Sequence, residues 1–284
     1  MGKIISICNQ KGGTGKTTTA VNLSAALAEL NKKVLIIDAD PQGNATSGVG
    51  VNKNELKISV YDVFLNKCSA EEAIISNVYQ NLDIIPCNIS LTGAEIELVG
   101  ALSRETRLKK AVEPLQDKYD FIFIDSPPSL GLLTLNALVA SNRIIVPIQC
   151  EFYALEGVSQ LMNTLSLVKD GLNPDLSVEG VLLTMADFRT NLTTEVINEI
   201  RGYFKEKVYK TIIPRNIRLS EAPSHGKPIT MYDNHSIGAQ RYRELANELL
   251  GLPIDNRKQL VTNELDSSEA VIENAEGSET GSFG

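Results

Sequence analysis

Residues 9–20 read NQKGGTGKTTTA, a composition suited to binding phosphate. Lys16 would reach the β and γ phosphates of a nucleotide, and the Thr17 hydroxyl would bind Mg²⁺. Because glycine has no side chain, it lets backbone N–H groups turn inward around phosphate oxygens. The loop has three glycines, Gly12, Gly13 and Gly15. A helix starting at Lys16 would add its partial positive charge, so the stretch predicts a phosphate-binding loop.

The loop departs from the usual formula G-x-x-x-x-G-K-[ST] at its start. Gln10 stands where the first glycine should be, and Lys11 follows it. The alternative is a glycine-rich turn that binds no ligand. Lysine and threonine at a helix N-terminus oppose the helix dipole and the capping preferences unless an anion is present. The composition therefore favours a phosphate loop and leaves open what Lys11 does.

Acidic residues end two strand-like runs elsewhere in the chain. LIIDADPQGN carries Asp38 and Asp40, and FIFIDSPPS carries Asp125. At the carboxyl edge of a parallel sheet, such carboxylates can hold Mg²⁺ through water or orient an attacking water. The alternative is that an aspartate only caps the turn that follows it.

Strand-like and helix-like patterns alternate through most of the chain. Several of the strand-like runs are apolar at consecutive positions, as strands covered on both faces should be. The predicted strands are 3–9, 33–39, 82–87, 121–125, 143–148, 178–185 and 208–214. Helices are predicted at 154–168 and 237–250, and an apolar stripe on another helix comprises Ala20, Leu23, Leu27 and Leu30. The alternation predicts a doubly wound α/β fold, with a mostly parallel sheet and helices on both faces.

Composition fits one large domain with an appendage. The chain has 284 residues and is 43% hydrophobic, enough for a large core. We expect residues 1–254 to form a single domain and residues 255–284 a disordered acidic tail. That tail has seven acids against two bases. Scattered cysteines argue against a metal cage, and no apolar run approaches the roughly 18 residues of a membrane span, so we expect a cytoplasmic protein.

Five segments together resemble the ParA/Soj family of partition ATPases, which carry a deviant form of the phosphate loop known as the Walker A motif. The segments are KGGTGKTTT, DADPQGNATSG, DSPPSLGLLTLNAL, QCEFYALEG and IPRNIRLSEAPSHGKP. They occur in the family order, and the resemblance covers about residues 1–250. It implies a phosphate-loop NTPase fold and an ATPase that uses ATP and Mg²⁺ and has a slow intrinsic rate.

The resemblance also assigns roles within the nucleotide site. Lys11 matches the lysine that reaches the partner's phosphates across an ATP-sandwiched homodimer, as an arginine finger does. Lys16 is the loop lysine, Thr17 the metal ligand, and Thr18 contacts the α phosphate. Thr14 belongs to the same loop. Asp40 matches the residue that prepares the hydrolytic water beside the metal, and Asp125 matches the acid that holds the metal through water. Pro214 and Asn216 match the segment that lines the adenine.

Family members bind double-stranded DNA without sequence preference when dimeric, and a ParB-type centromere-binding partner stimulates their hydrolysis. The chain's net charge of -8 opposes DNA binding, yet residues 187–243 carry ten bases against six acids. The resemblance points to Arg189 and Arg218 for DNA contact. Weaker candidates in the same basic region are Arg215, Lys205, Lys207 and Lys210. Two such patches in a dimer would contact more phosphates than one.

Three alternatives share parts of this pattern. A membrane-cycling ATPase like MinD needs a basic amphipathic C-terminal helix, whereas this C-terminus is acidic. An electron-transfer ATPase like the nitrogenase iron protein needs a cysteine soon after the strand that ends at Asp125, and DSPPSLGLLTLNAL has none. A DNA-compaction protein that no longer uses nucleotide would have no need of Lys16 and Asp40.

Overall fold

The structure, a computed structural model, describes residues 2–151, 154 and 156–254. The expected tail at 255–284 lies outside the described residues, as do positions 152, 153 and 155 of the QCEFYALEG segment.

The described residues form one eight-stranded sheet in the order β3-β4-β2-β5-β1-β6-β7-β8. Its strands are β1 (Lys3–Ile7), β2 (Val34–Asp38), β3 (Ile75–Tyr79), β4 (Leu82–Ile85), β5 (Phe121–Asp125), β6 (Arg143–Gln149), β7 (Ser177–Ala186) and β8 (Val208–Pro214). Every neighbouring pair is parallel except β3 with β4. All seven predicted strands are confirmed.

The antiparallel edge strand β3 was not predicted from the sequence. Its residues are only partly buried or exposed, so its sequence ISNVY lacks the continuous apolar run of the inner strands. Its register with β4 shifts between Ile75 and Tyr79, and Asn77 has a φ of 53°. An irregular, half-buried edge strand leaves little periodicity to detect.

Helices cover both faces of the sheet, as predicted. They are α1 (Lys16–Glu29), α2 (Asn44–Gly48), α3 (Val60–Phe64), α4 (Leu91–Glu97), α5 (Arg107–Val112), α6 (Leu132–Ala140), α7 (Glu156–Gly171), α8 (Asn191–Phe204), α9 (Ile217–Glu221), α10 (Ile229–Tyr232) and α11 (Ile237–Leu249). Ile36 packs in the apolar cluster with α1 and α11. Its neighbours Leu35 and Ile37 point the opposite way, into the cluster with α3 to α6.

The stripe predicted for α1 was wrong in its extent. Leu30 lies just beyond the helix end and is 39% exposed, whereas Ala25, Ala26 and Ala28 are buried. The helix is enclosed because its residues join one apolar cluster with the sheet and with α11. An amphipathic helix buries only one face, but α1 is covered on several sides. Its alanines therefore pack against neighbouring elements where an amphipathic helix would have polar residues.

We expect Gly180→Ala to destabilise the fold and Gly202→Ala to leave it intact or stabilise it. A Cβ at Gly180 would lie 2.4 Å from the Tyr209 ring on β8, and that ring is buried. Overpacking of this kind costs about 1–3 kcal/mol. A Cβ at Gly202 in α8 meets nothing within 4 Å, so alanine there should contribute about 0.5–1 kcal/mol. Urea unfolding of both variants beside the parent measures the difference, and equal midpoints would contradict it.

Candidate nucleotide-binding site

Strand register brings the predicted loop and the predicted acids to one edge of the sheet. Asp125, the last residue of β5, pairs in register with Ile7 of β1 on one side and with Asp38 of β2 on the other. The phosphate loop follows β1 directly, and Asp40 follows β2 by two residues. The carboxyl ends of three adjacent parallel strands therefore converge where α1 begins.

The loop's backbone requires glycine at two positions. Gly13 and Gly15 have φ angles of 75° and 86°, a left-handed conformation that side chains disfavour. A Cβ at Gly13 would meet nothing within 4 Å, so backbone conformation and not space limits that position.

Two residues that the sequence analysis did not single out hold this loop. The Asn9 side chain donates to the carbonyl of Pro147 at 2.7 Å and accepts from the Lys11 N–H at 3.1 Å. Thr184 on β7 donates its hydroxyl to the carbonyl of Thr14 at 2.9 Å. The roles of Thr184 and of the Asn9–Pro147 contact have no local signal, because they depend on strands distant in sequence.

Lys16 lies deep within the loop. Its residue is 7% exposed, and Nζ donates to the carbonyl of Lys11 at 3.2 Å. Burial lowers the pKa of the Lys16 ammonium, and the nearby Asp125, Cys8 and Asp40 oppose that effect. A lysine held near two carboxylates inside a glycine-rich loop is placed to bind phosphate.

Asp125 is fully buried, and neither of its carboxylate oxygens has a hydrogen-bond partner of normal geometry among the described residues. Burial raises the pKa of Asp125 well above its usual value. Asp38 adds to that rise, and the nearby Thr17 hydroxyl opposes it. A buried carboxylate with so little hydrogen bonding is unfavourable unless a cation or bound water satisfies it.

Asp38 and Asp40 differ in their surroundings. Asp38 Oδ2 accepts from the backbone N–H and the hydroxyl of Thr46 at 2.8 and 2.7 Å. Burial raises the pKa of Asp38 to about 6, and the Thr46 hydrogen bonds lower it in part. Asp38 therefore fits the alternative reading, in which an aspartate only caps the turn that follows it. Asp40 Oδ1 accepts one hydrogen bond, from Gln42 N–H at 2.9 Å, which leaves its carboxylate able to accept more.

The side-chain oxygens of Thr17, Asp40 and Asp125 could supply some, but not all, of the ligands of a Mg²⁺ ion. Among the described residues, no group of three His, Cys, Asp or Glu side chains is arranged to hold a metal. A magnesium ion bound at phosphates characteristically keeps several waters and takes only one or two carboxylates from the protein. Thr17, Asp125 and Asp40 match that kind of site better than a closed protein cage.

A cleft of about 600 Å³ extends from the loop. Gly15 and Thr18 line it together with Pro214 and Asn216, so the structure places the predicted adenine segment beside the predicted phosphate segment. Met185 also lines the cleft and has a φ of 52°, a strained conformation for a side chain of this size. Strained residues cluster at functional sites, and sequence alone gives no signal for this one.

Glu151 connects two of the predicted cations at the mouth of this cleft. Its carboxylate lies 3.6 Å from Lys11 Nζ and 3.6 Å from Arg215 Nη2. Arg215 thus lies at the cleft, although the sequence analysis grouped it with the DNA-binding candidates. Such exposed pairs contribute about 0–1 kcal/mol, so either cation can exchange partners readily.

The other two DNA-binding candidates, Arg189 and Arg218, do not line this cleft, and both are exposed. Arg189 makes a bidentate ion pair with Asp187, with Nε 2.9 Å from Oδ1 and Nη2 2.8 Å from Oδ2. That hydrogen bonding lowers the pKa of Asp187 to about 2. Arg218 on α9 pairs with Glu221 at 2.9 Å and with Asp233 at 3.5 Å.

A glycine-rich loop between a central parallel strand and a buried helix, with an acid at the end of the adjacent strand, defines a phosphate-loop nucleotide-binding protein. Residues 2–178 match the sequence profile described as AAA domain. The sporulation initiation inhibitor protein Soj of Bacillus subtilis is 59% identical over 249 residues, 88% of this chain and 98% of Soj. The chromosome partitioning protein ParA of Myxococcus xanthus is 52% identical over 250 residues, 88% of each chain. The chain belongs to the ParA/Soj family of chromosome-partitioning ATPases.

A solved structure gives the same fold. Cobyrinic acid a,c-diamide synthase from Mycobacterium smegmatis, crystallised with a bound ATP analogue and magnesium, matches with a TM-score of 0.78 and 37% identity. The match covers 88% of this chain and 95% of that one. None of the helices in the described part of this chain is both long and apolar enough to cross a membrane.

Proposed function

We propose that this chain is an ATP-dependent DNA-partitioning protein. ATP binding drives two copies into a sandwich dimer that binds DNA without sequence preference, and hydrolysis, stimulated by a ParB-type partner, separates them. The observation that carries the proposal is the fully buried carboxylate of Asp125, which has only the Thr17 hydroxyl and the nearby Lys16 to offset its burial at the phosphate loop. A fold that had lost nucleotide use would gain stability by replacing that acid.

Within one chain, residues 1–254 act as a single ATPase domain. The loop residues Gly12 to Thr18 cradle the phosphates, with Lys16 on the β and γ oxygens, while Pro214 and Asn216 line the adenine. Thr17, Asp40 and Asp125 hold Mg²⁺, which neutralises charge on the phosphoryl group when bound. Asp40 orients the attacking water, since its carboxylate accepts only one hydrogen bond from the described residues.

Lys11 supplies the contact between copies. Its side chain is 40% exposed and paired with Glu151 at 3.6 Å, so it can leave that weak pair for the triphosphate held by a second copy. A cation delivered in trans stabilises the charge that spreads over the transferring phosphoryl group. Dimerisation and hydrolysis are then coupled through one side chain.

Arg189, Arg218 and Arg215 contact DNA in this proposal. All three are exposed and held in ion pairs that a phosphate can replace. We infer a cytoplasmic, nucleoid-associated protein. The MinD-like alternative is disfavoured because residues 255–284 are acidic and would be repelled by anionic lipid.

The oligomeric state of the Asp40→Ala variant tests the proposal. We expect ATP turnover to fall by about 10²-fold or more, because the attacking water loses its orienting group. With ATP, the variant should remain dimeric for longer than the parent, whereas with ADP both should be single chains. Sedimentation with ATP, ADP and DNA, alongside a turnover assay, gives the measurement.

Asp175→Ala is the matched control, since Asp175 is an exposed aspartate just before β7, at the opposite end of the sheet. It should behave as the parent in every assay. Parent-like turnover in Asp40→Ala would remove the role assigned to Asp40, and single chains under all conditions would contradict the dimer.

A further inference from the structure

An open groove of about 320 Å³ runs along the edge strand β8, outside the proposed nucleotide site. Ile197 of α8 and Ile212 of β8 supply apolar surface, and Phe188 adds a ring that is 39% exposed. Three basic residues also line the groove: Arg201, Lys210 and Arg241. Apolar surface bordered by cations is typical of a site for an acidic peptide.

The groove's charge is only partly compensated. Arg241 is buried and pairs with Glu244 at 2.6 Å. Arg201 and Lys210 are exposed, and within residues 2–151, 154 and 156–254 neither makes an ion pair with a carboxylate. Two uncompensated cations beside apolar side chains favour an anionic occupant that also carries some apolar residues.

The chain itself contains a segment of that chemistry. Residues 255–284 carry seven acids and two bases, interspersed with apolar residues such as Leu265 and Ile272. This acidic segment is opposite in charge to the groove.

The described part of the chain ends close to the groove. Glu248, near the end of α11, accepts from the backbone N–H of Lys210 at 2.6 Å and of Thr211 at 3.0 Å. The helix therefore ends beside a residue that lines the groove. Only residues 249–254 separate Glu248 from the acidic segment, and the backbone N–H groups of Gly251 and Leu252 donate to carbonyls of the last helical turn, so the segment begins close to the end of α11. Such a short tether gives an effective concentration in the millimolar range.

We propose that the acidic segment 255–284 docks in the β8 groove of its own chain, with its carboxylates paired to Arg201 and Lys210. This docking requires neither nucleotide nor DNA, so it does not rest on the proposed function. Its consequence concerns the basic region at 187–243, because a docked acidic segment would cover part of the positive charge there and compete with DNA phosphates.

Zero-length cross-linking of the full chain tests the docking. A carbodiimide joins a lysine amine to a carboxylate only when the two are in contact, and Lys210 provides that amine in the groove. We expect peptides linking Lys210 to acids of residues 264–279 at least about fivefold more often than peptides linking Lys109 or Lys110. Those two control lysines are exposed on α5. The preference should fall in 0.5 M salt, because salt screens exposed ion pairs.

Two further measurements keep the result decisive. Arg201→Glu, on the exposed side of α8, should lower the Lys210 yield severalfold, whereas Lys109→Glu should not. Mixing isotopically light and heavy chains separates links within a chain from links between chains. Equal yields at Lys210 and Lys109, or links found only between light and heavy chains, would overturn the proposal. The second outcome would identify a second copy as the occupant.

Discussion

Lys11→Ala is expected to retain nucleotide binding within a few-fold of the parent while losing ATP-dependent dimerisation and about 10²-fold or more of turnover. The reason lies in its position. The Lys11 side chain is 40% exposed and makes only a long ion pair with Glu151 inside its own chain. Removing an exposed pair of this kind changes stability by at most about 1 kcal/mol. Nearly all of the effect should therefore fall on the contact that Lys11 makes with a second copy.

Lys16→Ala separates this role from that of the neighbouring loop lysine. Lys16 is 7% exposed and lies near Asp125 and Asp40, so its loss should weaken nucleotide binding itself by about 10²-fold or more. Equilibrium binding of a fluorescent ATP analogue, sedimentation and phosphate release give the three readouts. Lys118→Ala is the control, because Lys118 is also exposed and ion-paired, with Glu71 at 2.9 Å. A Lys11→Ala variant that dimerises and turns over ATP like the parent would remove the proposed contact in trans.

The sequence predicted the central sheet well for a physical reason. Buried parallel strands have apolar residues at consecutive positions, and β2 and β5 are buried along their whole length. The same logic placed Asp125 beside the phosphate loop, because parallel strands that end together bring their last residues together. The edge strand β3 was not predicted, because only an inner strand is required to be apolar on both faces.

Most contacts that support the site could not be predicted because they are long-range and involve the backbone. Thr184 reaches the carbonyl of Thr14 across 170 residues of sequence. Nothing in the local composition around Thr184 or Met185 marks them, since their role follows from the adjacency of β7 to the loop. The residues alone left open which aspartate only caps a turn, and the two hydrogen bonds from Thr46 to Asp38 assign that role to Asp38.

The position of Arg215 illustrates a different limit. Counting charges along the chain groups Arg215 with Arg218, three residues away. The two side chains nevertheless have different partners, because Arg215 directly follows β8 and pairs with Glu151 at the cleft, whereas Arg218 lies on α9 beside Glu221. Net charge over a segment predicts that a basic region exists but not which of its cations share a surface.

Arg189→Glu combined with Arg218→Glu is expected to lower ATP-dependent DNA affinity by about 10²-fold or more while leaving ATP binding unchanged. Each phosphate contact contributes about 0.9 to the slope of log affinity against log salt, so loss of two contacts in each of two copies should lower that slope by about 3.6. Neither arginine lines the cleft beside the loop, which is why nucleotide binding should survive. Both ion pairs are exposed, so the fold should tolerate the changes.

A salt titration of DNA retention distinguishes this effect from a general change in charge. Lys109→Glu combined with Lys110→Glu makes the same change in net charge at two exposed positions of α5 and should leave the slope within about 0.5 of the parent, because those lysines gain or lose no phosphate contact. If both double variants lose affinity equally, overall charge and not a defined surface governs binding. If the arginine variant keeps the parental slope, Arg189 and Arg218 do not contact DNA, and the DNA-binding surface lies elsewhere on the dimer.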